Sequence, residues 1–324
     1  MKRSENIMVS IYMITYNHEK YITQAIDSIL TQNVQFNYEI VIGEDCSQDS
    51  TRSIIMEFAQ KFPGIFNLIL QEHNVGIFEN QMAVFKACRG KYIALLEGDD
   101  YWTDPFKLQK QVDFMEANPE YGMVHTDFDE KRDSVFQNYN RCHSLRIPEG
   151  NIFDNLLGDQ WLIHTPTIMV RAVLIKEYRT FYYANIEETQ KWLFDDIGIF
   201  LYVASRSKIK YFDYSTAVYR ILEESCCHSK SWHQRLLNGC SLYDIKLFFV
   251  RKYNVKNQKI VRSLMTGMNK TKLRIAFLEH NLSEAVVAFY QLLKYRAPDF
   301  KDCILFVGSF SFINLITGKI QHNK

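Results

Sequence analysis

The first hundred residues alternate between two hydrophobic periodicities. Val9 to Ile14 is a short continuous apolar run, the pattern of a strand covered on both faces. Residues 19–31 follow, with Ile22, Ala25, Ile26, Ile29 and Leu30 at helical spacing. Tyr38 to Ile42, Phe66 to Leu70 and Tyr92 to Leu96 read as three further strands. Helices are predicted between them: one from Thr51, carrying Ile54, Ile55, Phe58 and Ala59, and one over Phe78 to Cys88. Such alternation predicts an α/β fold with a mostly parallel central sheet and helices on both faces. Ligands of such sheets sit in the crevice outside the carboxyl ends of the strands.

After Asp100 the pattern changes. Pro105 suits the first turn of a helix, and Leu108, Val112, Phe114 and Met115 give that helix an apolar face ending near Asn118-Pro119. Tyr121 to Phe128 reads as another strand. Residues 130–150 are polar and irregular, an expected excursion over the site. Residues 151–220 mix short helices and strands, including Trp161 to Arg171 and Trp192 to Ala204. From about residue 233 helical patterns dominate, with basic side chains such as Lys246, Arg251, Lys259, Arg262, Lys272 and Arg274.

Composition narrows the class. Of 324 residues, 47% are hydrophobic and 23% charged, which excludes disorder, collagen-like repeats and a membrane bundle. Lys and Arg number 38 against 37 Asp and Glu, so the electrostatic footprint of a nucleic-acid binder is absent. The seven cysteines are odd in number and form no CxxC, so they read as reduced thiols of a cytoplasmic protein. The apolar stretch Ile7 to Ile14 is too short for a signal peptide. No run reaches the roughly 20 residues of a membrane span; the nearest, Cys303 to Gly318, is uncharged but contains Ser309, Ser311, Asn314 and Thr317.

Three polar segments fall at the carboxyl edge of the predicted sheet: Thr15-Tyr16-Asn17, Glu44-Asp45 and Glu97-Gly98-Asp99-Asp100. Adjacent carboxylates repel, and a divalent cation removes that cost. Magnesium or manganese favours one or two carboxylates together with phosphate oxygens and water. A solvated acidic turn capping the next helix is the blander alternative, with Asp104 as the cap, but Asp45 converging on the same rim weighs against it. Asp45 can accept a hydrogen bond from a nucleobase N–H or a ribose hydroxyl. Asp49, Ser50 and Thr51 are expected to cap the helix behind it, and Asn74-Val75-Gly76 is a turn facing the same crevice. Neither GxxxxGK[ST] nor a strand-following GxGxxG occurs, so a diphosphate would be handled by metal and side chains. GxSxG and HExxH are also absent.

At these residues the chain resembles the family 2 glycosyltransferases of GT-A fold. Val9 to Asn17 is similar to their opening strand, and Glu44-Asp45-Cys46-Ser47-Gln48-Asp49-Ser50-Thr51 to their DD-x-S-x-D-x-T segment. Asn74-Val75-Gly76 with Asn80 resembles N-x-G…N, and Leu96 to Asp100 with Pro105 and Leu108 resembles LDxDD…P…L. Further on, Phe194 to Tyr202 resembles GDWxLxL, with Asp195 where Gly is usual, and Tyr219-Arg220 resembles the YR that follows. Glu97 replaces the first Asp of the metal motif. Leu222 stands where that family often has a His, which moves any such role to His228.

The resemblance implies an inverting transfer of sugar from a nucleotide-diphosphate sugar, a UDP-sugar by family habit. The acceptor would be a glycan or lipid-linked hydroxyl in capsule, O-antigen or lipopolysaccharide synthesis. It implies a divalent metal on Asp99, Asp100 and His228. It implies nucleotide binding by Thr15, Tyr16, Asn17, Glu44, Asp45, Asn74, Gly76, Asn80, Glu97 and Asp99. Asp196 is the implied catalytic base, with Asp195 left open beside it. The expected organisation is a catalytic domain over 1–232, with a nucleotide-binding half 1–128 and an acceptor half 129–232. A helical region, 233–324, follows. Its basic helices either cap the catalytic domain or lie peripherally on the inner membrane leaflet. A nucleotidyltransferase of related fold is the alternative enzyme, against which Thr15 to Lys20 lacks glycine. A non-catalytic nucleotide-sugar-binding assembly protein is the alternative outside enzymes.

Overall fold

The structure is a computed structural model that describes residues 6–132, 135–137, 147–158, 163–222 and 231–309. Its first part follows the predicted alternation: β1 (Val9–Thr15), α1 (Ile22–Leu30), β2 (Tyr38–Glu44), α2 (Thr51–Lys61), β3 (Phe66–Leu70), α3 (Ile77–Ala87) and β4 (Tyr92–Leu95). Helix α1 forms where Ile22, Ala25, Ile26 and Ile29 recur at i, i+3, i+4 and i+7, and all four are fully buried. They pack in one cluster with Ile11 and Met13 of β1, Ile40 and Ile42 of β2, and Ala94 of β4. Each buried isoleucine or methionine of this set contributes about 1.5–3 kcal/mol by leaving water.

The next elements are β5 (Tyr101–Trp102), α4 (Lys107–Ala117), β6 (Tyr121–Arg132), β7 (Val135–Gln137), α5 (Phe153–Leu157), β8 (Met169–Arg171), α6 (Ala172–Ala184), α7 (Ile186–Thr189), α8 (Asp195–Ala204) and β9 (Lys208–Ile221). The sheet runs β3-β2-β1-β4-β8-β6-β9-β5, with β7 on β6. The first four strands are parallel. Beyond them β8 is antiparallel to both its neighbours, while β6 and β9 are parallel to each other. The sheet is therefore mixed beyond its first four strands.

Two expectations change. Residues 130–132 are strand, because Glu130, Lys131 and Arg132 pair in register with Tyr219, Arg220 and Ile221; a charged sequence at a strand end looks like loop until its partner is known. Pro105 lies before the helix, whose N-cap is Phe106; Asp104 Oδ1 instead accepts the Phe106 N–H at 2.9 Å.

The chain divides into two compact units. One comprises Met1–Phe153, Trp161–Ile186 and Tyr202–Leu222, and the other Asp154–Gln160, Glu187–Leu201 and Glu223–Lys324. The second contains α9 (Trp232–Lys252), α10 (Gln258–Leu278) and α11 (Leu282–Tyr295), followed by a helix over 300–309. Ser231, Asn257 and Asn281 each cap the helix that follows with a side-chain oxygen. Among the described residues no helix is long and apolar enough to cross a membrane.

Candidate active site

Register places the acids. Tyr12 of β1 pairs with Leu95 of β4, and the ladder continues through Leu96 N to Tyr12 O at 3.0 Å and Gly98 N to Ile14 O at 3.1 Å. The Glu97–Asp100 loop is thereby held beside the end of β1. Gly98 is required there, since a Cβ would lie 2.6 Å from Thr15 Oγ1 and 2.9 Å from His18 Nδ1.

Glu97, Asp99 and Asp100 each offer a carboxylate oxygen, all within 4.8 Å of one another. Asp100 is 1% exposed. Its Oδ1 accepts the Arg220 N–H at 2.7 Å, while its Oδ2 is buried with no hydrogen-bond partner among the described residues. Burial, then the charges of Asp99 and Glu97, raise the Asp100 carboxyl well above the usual carboxylate range. Buried polar atoms are nearly always paired. An orphaned carboxylate oxygen facing two further acids therefore has the donor set and the charge deficit that a hard divalent cation satisfies.

The loop is clamped from β9. Arg220, 6% exposed, donates through Nη1 to the Asp99 carbonyl and through Nη2 to Gln24. Its guanidinium lies 4.6 Å from the Tyr101 ring centroid and 5.1 Å from that of Tyr21. The sequence offered Arg220 only as half of a two-residue motif, because the strand pairing that brings it to the acids spans 120 residues. Arg220→Ala is expected to lower unfolding free energy by about 3 kcal/mol, as breaking a buried ionic network does; urea denaturation measures it.

The second rim segment is a pair of interlocked loops. Asn17 and Cys46 both adopt positive φ, 56° and 59°. Asn17 N donates to Ser47 Oγ at 3.0 Å, and Gln48 N donates to Asn17 Oδ1 at 2.8 Å. Asp45 N donates to the Thr15 carbonyl, and its carboxylate accepts Val75 N at 2.8 Å and Gly76 N at 3.0 Å. Asn74 Oδ1 accepts the same Gly76 N–H at 3.1 Å. Thr15-Tyr16-Asn17, Asp45 and the Asn74–Gly76 turn are thus brought together. Tyr16 is 39% exposed, an aromatic surface beside them.

Two other residues expected at the nucleotide are committed elsewhere. Glu44 is fully buried, accepting the Ser47 N–H at 2.6 Å and pairing with Arg52. Asn80 is buried and donates to the Gly43 carbonyl at 2.9 Å. Both hold loops in place. Asp49 performs the capping, accepting Thr51 N and Glu19 N at 3.0 Å each. His18 was not anticipated; its Nδ1 lies 3.1 Å from Thr15 Oγ1 and its N–H donates to Thr51 Oγ1 at 2.8 Å.

Behind the acids, the Thr165–Thr167 3-10 turn ties α4 to the loop. Thr165 Oγ1 donates to Glu97 Oε2 at 3.2 Å, and Trp102 Nε1 to the Pro166 carbonyl at 2.8 Å. Lys107, fully buried, donates to Gln111 Oε1 at 2.8 Å and to the Thr167 carbonyl at 3.1 Å. Burial lowers its pKa to about 7, against the pull of Asp104. The unfolded lysine keeps its proton to about pH 10.4, so between about pH 7 and about pH 10 the unfolded state binds more protons and stability rises with pH. Lys107→Met is expected to remove that slope, measured as the pH dependence of the urea midpoint.

Asp195 and Asp196 open α8 and belong to the second unit. Asp196 Oδ1 accepts the Ile197 N–H at 2.9 Å. Burial pushes its pKa up to about 6, partly offset by that bond and by its own backbone N–H. A carboxylate poised near neutrality has the acidity of a general base. His228 lies outside the described residues, as does most of Cys303 to Gly318.

Comparison with known proteins supplies the family. The model of Glycosyl transferase family 2 matches residues 10–179. The chain belongs to this family. Membership of this family favours a sugar transferase over the nucleotidyltransferase alternative. The putatively named glycosyltransferase EpsE of Bacillus subtilis is 28% identical over 67% of this chain and 73% of its own length. An uncharacterized protein of Mycobacterium tuberculosis is 46% identical over 112 residues, 35% of this chain. The chain spans about a third of the length of that relative, 32%. Among solved structures, S. aureus TarS 1-349 in complex with UDP-GlcNAc has a TM-score of 0.52 at 15% identity, covering 90% of this chain and 92% of that one. The mannosyltransferase PcManGT of Pyrobaculum calidifontis, in complex with GDP-Man and Mn2+, has a TM-score of 0.53 at 15% identity, covering 96% and 81%. These likenesses establish the GT-A fold.

Proposed function

We propose that this glycosyltransferase moves a sugar, with inversion, from a nucleotide-diphosphate donor to a hydroxyl of a glycan or lipid-linked acceptor in surface polysaccharide synthesis. The observation that carries the reading is the orphaned Asp100 Oδ2 between Glu97 and Asp99. In this reading Glu97, Asp99 and Asp100 hold manganese or magnesium, with His228 a further ligand. Such an ion neutralises charge on a departing diphosphate. Tyr16 offers its ring to the base, while Asp45 and Asn74, with the Thr15–Asn17 backbone, border the nucleoside. Glu44, Asn80 and Gly76 keep those loops in shape. The acceptor class follows the sequence resemblance, and the neighbours bound to UDP-GlcNAc and GDP-Man favour a nucleotide-sugar donor, UDP-sugar first.

The residues divide the work. The acceptor hydroxyl attacks the anomeric carbon from the face opposite the diphosphate, forming one C–O bond as the bond to phosphate oxygen breaks. Asp196 takes the hydroxyl proton, with Asp195 as its alternative, and the nucleoside diphosphate leaves. The proposed division is a nucleotide half over 1–128 and an acceptor half over 129–232, acting at the cytoplasmic face.

Incubating the protein with UDP-, GDP- and dTDP-sugars plus manganese, and measuring released nucleotide, tests the reading. One donor is expected to be hydrolysed and the others spared. Binding of a donor without turnover even when acceptor glycans are supplied would favour the non-catalytic alternative, and failure to bind any would overturn the proposal.

A further inference from the structure

The second unit presents an apolar surface that the packing of its described residues does not use. Helix α11 buries Ala285, Ala288 and Leu292. Yet Val286, Val287, Tyr290 and Leu293, on its other side, are 43%, 55%, 61% and 51% exposed. Those four recur at i, i+1, i+4 and i+7, so the helix carries two opposed apolar faces. The helix over 300–309 repeats the pattern: Asp302 and Ser309 are buried, while Phe300, Ile304 and Val307 are 80%, 52% and 59% exposed. The two helices are joined by stacking of Phe289 on Phe306, ring centroids 4.3 Å apart. Apolar exposure concentrated in this way marks an interaction site.

Charge says what the site takes. Residues 231–309 contain thirteen Lys and Arg against five Asp and Glu, a net of +8, whereas the entire chain carries +1. The helical region is thus a strongly basic module on a chain that is otherwise acidic. Two of its lysines stand within or beside the apolar faces: Lys294 lies 4.9 Å from the Tyr290 ring centroid, and Lys301 adjoins Phe300. Both are exposed. Long basic side chains bordering aromatic and branched apolar groups fit the boundary between anionic headgroups and acyl chains, where the stem lies in the apolar layer and the ammonium reaches outward.

We infer that α11 and the helix over 300–309 dock this protein on an anionic lipid surface, lying in the interface without spanning it. The inference deepens the lipid-linked acceptor reading, but it is measured without donor or acceptor, so either can fail alone. The whole 324-residue chain is floated with phosphatidylcholine vesicles, with and without about 30% phosphatidylglycerol. Binding is expected to the anionic vesicles only, weakening as salt rises. Phe300→Ser combined with Ile304→Ser, and separately Lys294→Glu combined with Lys301→Glu, are each expected to cut it about tenfold or more. All four side chains are exposed, so the urea unfolding midpoint should be unchanged and serves as the folding control. Absence of binding to anionic vesicles, or equal binding by both variants, would overturn the inference. So would a dimer in light scattering that the Phe300→Ser, Ile304→Ser variant dissolves, since the surface would then belong to a second copy.

Discussion

Asp100→Asn is expected to reduce metal-dependent nucleotide release by about a thousandfold or more while making the metal-free protein more stable. Both effects follow from one buried carboxylate. In the absence of a cation Asp100 is surrounded by Asp99 and Glu97, has one oxygen unpaired among the described residues, and is held well above the usual carboxylate range by burial first and those charges second. A folded-state pKa above the unfolded value means that the native state binds more protons in the window between the two. Stability is therefore present below the unfolded pKa and lost as pH rises through the folded one. Asparagine keeps an oxygen for the Arg220 N–H and cannot ionise, so that loss should vanish from the pH dependence of the urea midpoint measured in EDTA. The same substitution removes one charge from the cation's donor set, so added manganese, which should raise the wild-type midpoint, should barely move the variant's. A variant that is destabilised in EDTA and still stabilised by manganese would contradict this account of the loop.

Asp196→Asn is expected to lower kcat by about a hundred- to ten-thousandfold with little change in the donor KM, the signature of losing a general base. The wild-type rate should climb with pH through about 6, where burial places the Asp196 carboxyl. The sign is fixed by the role. A base works only when deprotonated, so activity is lost below that pKa and reaches its plateau above it. Asp196→Asn should abolish that acid limb, while Asp195→Asn should leave the limb in place with a milder fall in rate. If instead Asp195→Asn removes the limb and Asp196→Asn keeps it, the base is the neighbouring residue.

The parts of the molecule that were legible in the sequence are those set by local periodicity. Ile22, Ala25, Ile26 and Ile29 announce α1 by spacing alone, and the apolar runs of β1 to β4 imply parallel pairing because only short helical crossovers separate them. The acids were legible for the same reason, as polar residues directly after buried strands. The long-range pairings were not. Nothing near Met169 predicts that a three-residue strand will insert antiparallel between β4 and β6, and Tyr101–Trp102 is too short to show any period. Arg220 and Thr165 reach the acidic loop only through that distant pairing. Residue identity also did not reveal division of labour. Glu44 and Asp45 are adjacent acids, yet one is fully enclosed by Ser47 and Arg52 while the other closes the Asn74–Gly76 turn beside exposed Tyr16.

The central claim is that the Glu97–Asp100 loop binds a divalent cation together with a nucleoside diphosphate. Titrating manganese into the protein with UDP present, and following free ion by electron paramagnetic resonance, measures that directly. One bound ion per chain is predicted for the wild type, with occupancy lost in Asp100→Asn and preserved in Asp196→Asn. Equal manganese binding by the wild type and Asp100→Asn would contradict the account.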